Sequence, residues 1–362
     1  MKISFFGSSL VSSYWNGAAT YYRGLLRELA GLGHNVTFYE PDAFERQSHR
    51  DIADPDWARV VVYDATEDGW RQSLTAAARD ADLLVKASGV GVFDRELETA
   101  LPQIESRALR IYWDVDAPAT LDAIAADPQH HLRDAIPRYD AVLTYGGGDP
   151  VVQAYRRAGA RDCVPVYNAL DPATHHPVPQ DPSLAADLGF LGNRLPDREA
   201  RVERFFLEVA AMRPAQGFLL GGSGWDSRHV PDNVRRLGHV GTERHNAFFC
   251  STLATLNINR DSMAAYGFSP PTRVFEAVGA GACLITDEWI GIDLFLEPGT
   301  EVLVAADGAA VAAHLDALTP ERAATIAAAA RRRILARHTY AHRARQVHRL
   351  LEGLSAKVEA AE

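Results

Sequence analysis

Cysteine is scarce in this 362-residue chain. Its three cysteines, Cys163, Cys250 and Cys283, are an odd number, widely spaced, and form no Cys-x-x-Cys pattern. That excludes a disulfide framework and reads as small core residues in a reducing compartment. Long hydrophobic runs are also missing, so no segment reads as a membrane span. The opening stretch, Met1–Gly7, has an apolar run too short for a signal-peptide core, and no small-residue cleavage site follows it. The expected location is therefore cytoplasmic. Positive charge is not in excess: 37 Lys and Arg against 47 Asp and Glu leave a formal charge of −10. A general nucleic-acid partner is excluded on that balance. The basic tail around Arg331–Arg333, Arg337, Arg343, Arg345 and Arg349 reads as a solvated helix face. No aromatic-rich apolar face accompanies it, so membrane contact is at most weak and peripheral.

What is present is ordinary globular composition, 47% apolar and 23% charged, at a length that suits two domains. Strand-like segments at 2–6, 35–39, 60–63, 83–86, 109–113, 141–145 and 163–166 alternate with helical ones, beginning with a helix over 18–32. Residues 168–187, with Pro172, Pro177, Pro179, Pro182 and the pair His175-His176, break the rhythm as a linker. Alternation resumes with strands at 188–191, 217–220, 234–237, 254–258, 283–286 and 301–304 and a helix over 198–212. Two helices, 320–338 and 341–354, close the chain. This predicts an α/β protein of two doubly wound, Rossmann-like domains facing each other across a cleft, 1–170 and 171–338. The last helix, about 339–362, is expected to pack back on the first domain.

Ligands of open parallel sheets bind beyond the carboxyl ends of the strands. In the second domain those ends carry Gly192-Asn193-Arg194, Gly221-Gly222-Ser223-Gly224-Trp225, Gly238-His239-Val240-Gly241, Asn257-Ile258-Asn259-Arg260 and Asp287. Glycine lets backbone approach a ligand and arginine suits phosphate, so the set points to a phosphate-bearing ligand. Glu276 stands out in the apolar run Pro270–Thr286, where an unpaired buried carboxylate is costly. It either pairs with Arg273 one turn back or meets a polar ligand.

The segment Asn257–Arg260, followed by Thr272–Gly281, resembles a GT-B glycosyltransferase, in particular the CgeB-like (spore maturation protein-like) branch of glycosyl transferases group 1. Asn168-Ala169-Leu170-Asp171-Pro172 and Tyr112–Pro118 extend the likeness. The resemblance implies a transferase that moves a sugar from a nucleotide-sugar donor to an acceptor. It places the ribose hydroxyls on Glu276 and the base on the main chain of His239 and Val240. Arg273, Arg194 or Arg260, with the N–H groups of Gly267 and Ser269, are the candidates to meet the donor diphosphate, and Thr272, Asn193, Gly222 and Asn259 complete the expected donor-binding set. The first domain is then expected to hold the acceptor: Tyr14 and Trp15 can stack on a sugar ring while Ser8, Ser9 and Asn16 bond its hydroxyls, with Gly17 beside them and Tyr145 and Gly146 at another strand end, core packing being the alternative. No cofactor and no metal are expected.

Two departures leave the stereochemistry open. Retaining relatives carry a second acidic residue where this chain has Phe268, and Pro270 and Pro271 have no N–H to offer a diphosphate. Asp116 is then the candidate general base on the acceptor, with a helix N-cap as its bland alternative. Asp114-x-Asp116 also matches the metal-holding motif of GT-A enzymes, but a second α/β domain favours GT-B. A nucleotide-sugar epimerase or hydrolase, or a noncatalytic nucleotide-sugar-binding protein, shares the scaffold. The adjacent pairs His130-His131 and His175-His176 are poorly placed to share a metal.

Overall fold

The computed structural model describes residues 1–14 and 16–359. The chain divides into two compact units: Met1–Tyr167 together with Tyr340–Glu362, and Asn168–Thr339. The first holds seven strands: β1 (Lys2–Phe6), β2 (Asn35–Asp42), β3 (Ala58–Asp64), β4 (Leu83–Ala87), β5 (Leu109–Asp114), β6 (Ala141–Thr144) and β7 (Cys163–Pro165). All pair in parallel in the order β3-β2-β1-β4-β5-β6-β7. The order reverses between β1 and β4, which opens a crevice beyond their carboxyl ends. The central strands β4 and β6 are buried along their whole length, as a sheet covered by helices on both faces requires.

The last helix, Tyr340–Glu359, belongs to this unit. Gly24, on the helix Ala19–Gly31, has no side chain because any Cβ there would collide with the Tyr340 ring. Arg343 Nε donates to the Tyr167 carbonyl at 3.1 Å and Gln346 to that of Pro165 at 2.9 Å. Arg343, 7% exposed, thus serves internal packing, whereas Arg332, Arg337, Arg345 and Arg349 are exposed.

The second unit has six parallel strands: β8 (Ala186–Leu191), β9 (Phe218–Gly221), β10 (Val234–Gly238), β11 (Thr252–Asn257), β12 (Leu284–Asp287) and β13 (Leu303–Ala305). Their order is β10-β9-β8-β11-β12-β13, so the switch falls between β8 and β11. Phe190, Phe206, Phe218, Leu256 and Ile285 join one apolar core between sheet and helices. The helix expected over 198–212 starts earlier, at Pro196, and runs to Met212 through a π-turn at Glu203–Leu207. Pro196 sits at the first helical position, where its missing N–H has no partner to lose. The two-sheet, doubly wound expectation therefore holds. No helix among the described residues is long and apolar enough to cross a membrane.

Candidate active site

The end of β8 organises the second unit's site. Gly192 follows the strand and Gly222, φ +126°, follows β9. A Cβ on Gly222 would strike the Gly192 carbonyl, so the two loops lie against each other only because residue 222 is glycine. Asn193 Oδ1 accepts from the Ser223 amide at 2.9 Å and its carbonyl accepts from Arg198 at 2.6 Å. Asn193 is thus a brace of this loop pair.

Five arginines surround the strand ends, and three are neutralised within the protein. Arg194 pairs with Glu199 at 2.7 Å, Arg201 with the buried Asp287, and Arg260 with Asp197. Arg198 and Arg273 meet no carboxylate in an ion pair among the described residues. Their guanidinium groups lie over the same ring, Phe190, at 5.5 and 5.6 Å. A Cβ on Gly192 would stand 2.9 Å from Arg198 Nη2 and 3.2 Å from Arg273 Nη2. Both Nε atoms are buried without a hydrogen bond. Burial, and then the neighbouring charge of Arg273, push the Arg198 guanidinium down to about 10. Burial likewise lowers Arg273, against the field of Glu276. Two cations held together without a counter-ion form a cradle for a polyanion.

Glu276 is half-buried on the helix Thr272–Ala280 and makes no ion pair with Arg273, whose side chain turns to Phe190 instead. The intrahelical-pair alternative is therefore not the arrangement found. The small residues after Glu276 serve close packing and helix termination. Gly279 packs against Leu170 and the His175 carbonyl, and Gly281, φ +92°, closes the helix. The proline-headed start of this helix is anchored by Asn168 Nδ2, which donates to the Pro270 carbonyl at 3.2 Å.

The other donor-side expectations fall in four groups. Thr272 opens the helix beside Arg273. His239 is exposed and Val240 buried on the loop after β10. Asn259 and Ser269 are turned inward: Asn259 accepts from Asn257 at 3.1 Å while its amide donates to Asp287, and Ser269 Oγ donates to the Gly267 carbonyl at 3.0 Å. Ser269 thus braces its own loop, whereas Asn259 Nδ2 is buried without a hydrogen bond. Arg194 and Arg260, expected at the diphosphate, are instead committed to carboxylates.

In the first unit the loop after β1 is self-bonded. Ser8 Oγ donates to Asn16 Oδ1 at 2.7 Å, and Asn16 Nδ2 donates to the carbonyls of Ser9 and Ser12 at 2.8 and 2.9 Å. Ser9 Oγ donates to Glu40 at 2.9 Å. These three side chains shape the loop, and Gly17 follows it in a turn with open space at its Cα. Tyr14 is exposed and stacks on His49 at 4.0 Å. Trp15 lies outside the described residues. Tyr145 packs on Tyr21 at 3.9 Å with its buried hydroxyl lacking a hydrogen bond, and the Gly146 carbonyl accepts from Thr144 at 2.9 Å.

The two aspartates at the end of β5 differ sharply. Asp114 is fully buried and accepts from Ser88 at 2.7 Å, from Thr120 at 3.0 Å, and from Tyr155. Burial raises its pKa, with those donors opposing. Asp116 occupies the N-cap position of the helix Ala117–Ala126 and is half-buried, but its side chain does not cap that helix. Thus the pair does not present two carboxylates to one metal, as the GT-A motif would.

Residues that the sequence did not single out include Arg198, His245 and Arg46. Pro196-x-Arg198 after a glycine loop was the available signal for the first. Arg46 is 5% exposed and donates to the carbonyls of Ser8 and Val90 at 3.3 and 3.2 Å, joining the ends of β1 and β4. Nothing local marks it, because the strand order alone brings those loops together.

Residues 198–349 match a protein family described as glycosyl transferase-like. No curated protein matches the sequence. Among solved structures, the chain is similar to a sucrose-phosphate synthase from Thermosynechococcus elongatus, at 17% identity and a TM-score of 0.71, over 99% of this chain and 100% of that one. Anabaena HepE in complex with UDP and glucose aligns at 16% identity and a TM-score of 0.69, over 98% and 100%. An alpha-glucosyltransferase in complex with UDP and a 13-mer DNA aligns at 11% and 0.69, over 97% and 99%. At such identities the likeness establishes the fold. The two units are the Rossmann-like domains of the GT-B fold.

Proposed function

We propose that this chain is a GT-B glycosyltransferase that takes a sugar from a nucleotide-sugar donor, without a metal, and passes it to an acceptor hydroxyl. The observation that carries the reading is the Arg198–Arg273 pair, two half-buried cations at the sheet's switch point whose Nε atoms are buried without a hydrogen bond and which form no ion pair with a carboxylate among the described residues. A donor diphosphate supplies the missing charge, and Glu276 on the same helix as Arg273 accepts from the ribose hydroxyls. The main chain at His239 and Val240 takes the base. Similar structures are described with UDP or UDP-glucose, so uridine diphosphate is the first nucleotide to test.

The acceptor belongs to the first unit, around the loop after β1, Tyr145 and Asp116. Its hydroxyl oxygen attacks the anomeric carbon, the bond to the nucleoside diphosphate breaks, and the hydroxyl proton passes to the Asp116 carboxylate. The net charge of −10 disfavours nucleic acid as that acceptor. Within the GT-B enzymes the CgeB-like branch is the finer assignment, supported by Asn168–Pro172, where Asn168 ties the hinge to the donor helix.

The test is a thermal-shift panel of UDP, GDP, dTDP and their sugars. One nucleotide series should raise the melting temperature, since a ligand at a hundred times its Kd adds about 2.7 kcal/mol. No shift with any nucleoside diphosphate at millimolar concentration would remove the donor reading.

A further inference from the structure

Beside the arginine cradle three side chains converge whose full chemistry a nucleotide does not use. His175, His245 and Glu276 each offer one ligand atom, and these atoms lie within 4.8 Å of one another. They arrive from three elements: the segment after the hinge, the helix Thr242–Ser251 and the helix Thr272–Ala280. His175 is 2% exposed and its Nε2 has no hydrogen bond; neither has the buried Nδ1 of His245. An unsatisfied buried polar atom is costly, so two of them beside a carboxylate call for a further participant.

The cluster is built into the fold. Asp171 accepts from the amides of Ala173 and His175 and from the Thr174 hydroxyl, forming the turn that delivers His175. Asn246, next to His245, donates to the Thr174 carbonyl at 2.9 Å and accepts from the His176 amide at 3.3 Å. Gly279 admits the His175 backbone against the Glu276 helix. The histidine partner of His175 is thus His245 in space, while its sequence neighbour His176 points to solvent.

We propose that His175, His245 and Glu276 bind a divalent transition-metal ion of the zinc class, and that this ion excludes the nucleotide from Glu276. Two imidazoles and one carboxylate are a zinc donor set with a fourth position open, whereas magnesium and calcium prefer oxygen ligands. Bonds of about 2.0–2.1 Å place tetrahedral ligand atoms ~3.3 Å apart, so modest side-chain rotation closes the cluster on an ion. The metal site stands on its own geometry; the exclusion rests on the ribose role of Glu276.

The full-length protein, stripped with chelator, is titrated with cobalt(II) and followed by visible absorption, with circular dichroism confirming the fold of each variant. One equivalent should give the intense bands of a four-coordinate ion. His245→Gln and Glu276→Gln, both conservative in shape, should each weaken binding at least tenfold, while His131→Gln leaves it unchanged. A weak six-coordinate spectrum, or a four-coordinate signal that survives both variants, would overturn the site. In a second arm, calorimetry compares UDP binding in EDTA and with one equivalent of zinc. Zinc should weaken UDP at least tenfold; equal affinity overturns the exclusion. If UDP fails to bind in EDTA, the donor reading falls while the cobalt titration still decides the metal site.

Discussion

The guanidinium groups of Arg198 and Arg273 both lie over the Phe190 ring, at 5.5 and 5.6 Å, and neither forms an ion pair with a carboxylate among the described residues. Like charges brought together out of water oppose folding. Arg273→Met should therefore raise the stability of the ligand-free protein, by roughly 1 kcal/mol, while weakening nucleoside diphosphate binding by about 1.5–3 kcal/mol. Urea melts and calorimetry on the same preparation check both halves. A variant that loses stability and affinity together would make Arg273 an ordinary structural residue.

Glu276→Ala isolates the ribose contact. Because Glu276 makes no ion pair and is half-buried, its removal should leave the melting temperature within a degree or two. UDP affinity should fall by about 1.5–3 kcal/mol, the range for hydrogen bonds to a charged group. Unchanged affinity in a folded variant would place the ribose elsewhere.

Asp114 and Asp116 should separate cleanly. Asp114→Ala strands Ser88, Thr120 and Tyr155 in the core and should cost about 3 kcal/mol or more of stability. Asp116→Asn should leave stability and donor affinity intact and lower turnover by roughly 10²–10⁴, as expected for loss of a general base. Wild-type turnover in Asp116→Asn would move the base to another group.

A pH dependence follows from His245. Burial, the largest influence, lowers its pKa below 6.5, with His175 and Arg273 acting in the same direction and Glu276 opposing. The unfolded chain then binds the proton more readily than the folded one. Stability is fully present above pH 6.5 and declines as pH falls from there toward the folded pKa, by up to about 1.4 kcal/mol per pH unit. Urea midpoints at pH 7.5 and 5.5 should differ less in His245→Gln than in wild type. An identical difference in both would assign the effect to other histidines.

The alternation of strands and helices was legible because parallel sheets covered on both faces demand apolar runs such as Leu83–Val85 and Phe218–Leu220. Strand ends moved by one to three residues, as at Asn35–Asp42, where pairing with β3 carries β2 past its apolar run. Glu276 was visible as a carboxylate in an apolar helix. The pairing of charges was not. Arg194 and Arg260 look as available in sequence as Arg198 and Arg273, and only the fold shows Glu199 and Asp197 beside the first two. His175 likewise has an adjacent histidine in sequence but a different one in space, and Arg46 is placed by strand order alone.

Metal chemistry gives an independent prediction. If positive side chains neutralise the leaving diphosphate, sugar transfer should persist in EDTA, and zinc should inhibit it reversibly. Activity lost in EDTA and restored by manganese would instead favour a metal-assisted mechanism.

The most direct measurement compares uridine, UMP and UDP by calorimetry in EDTA, on wild type and on the Arg198→Met, Arg273→Met double variant. A cradle built for a diphosphate predicts that affinity climbs with each phosphate in wild type, and that the double variant flattens the series to the level of uridine. If uridine binds wild type as tightly as UDP, or the double variant keeps the full gain from the phosphates, the arginine pair is not the donor site.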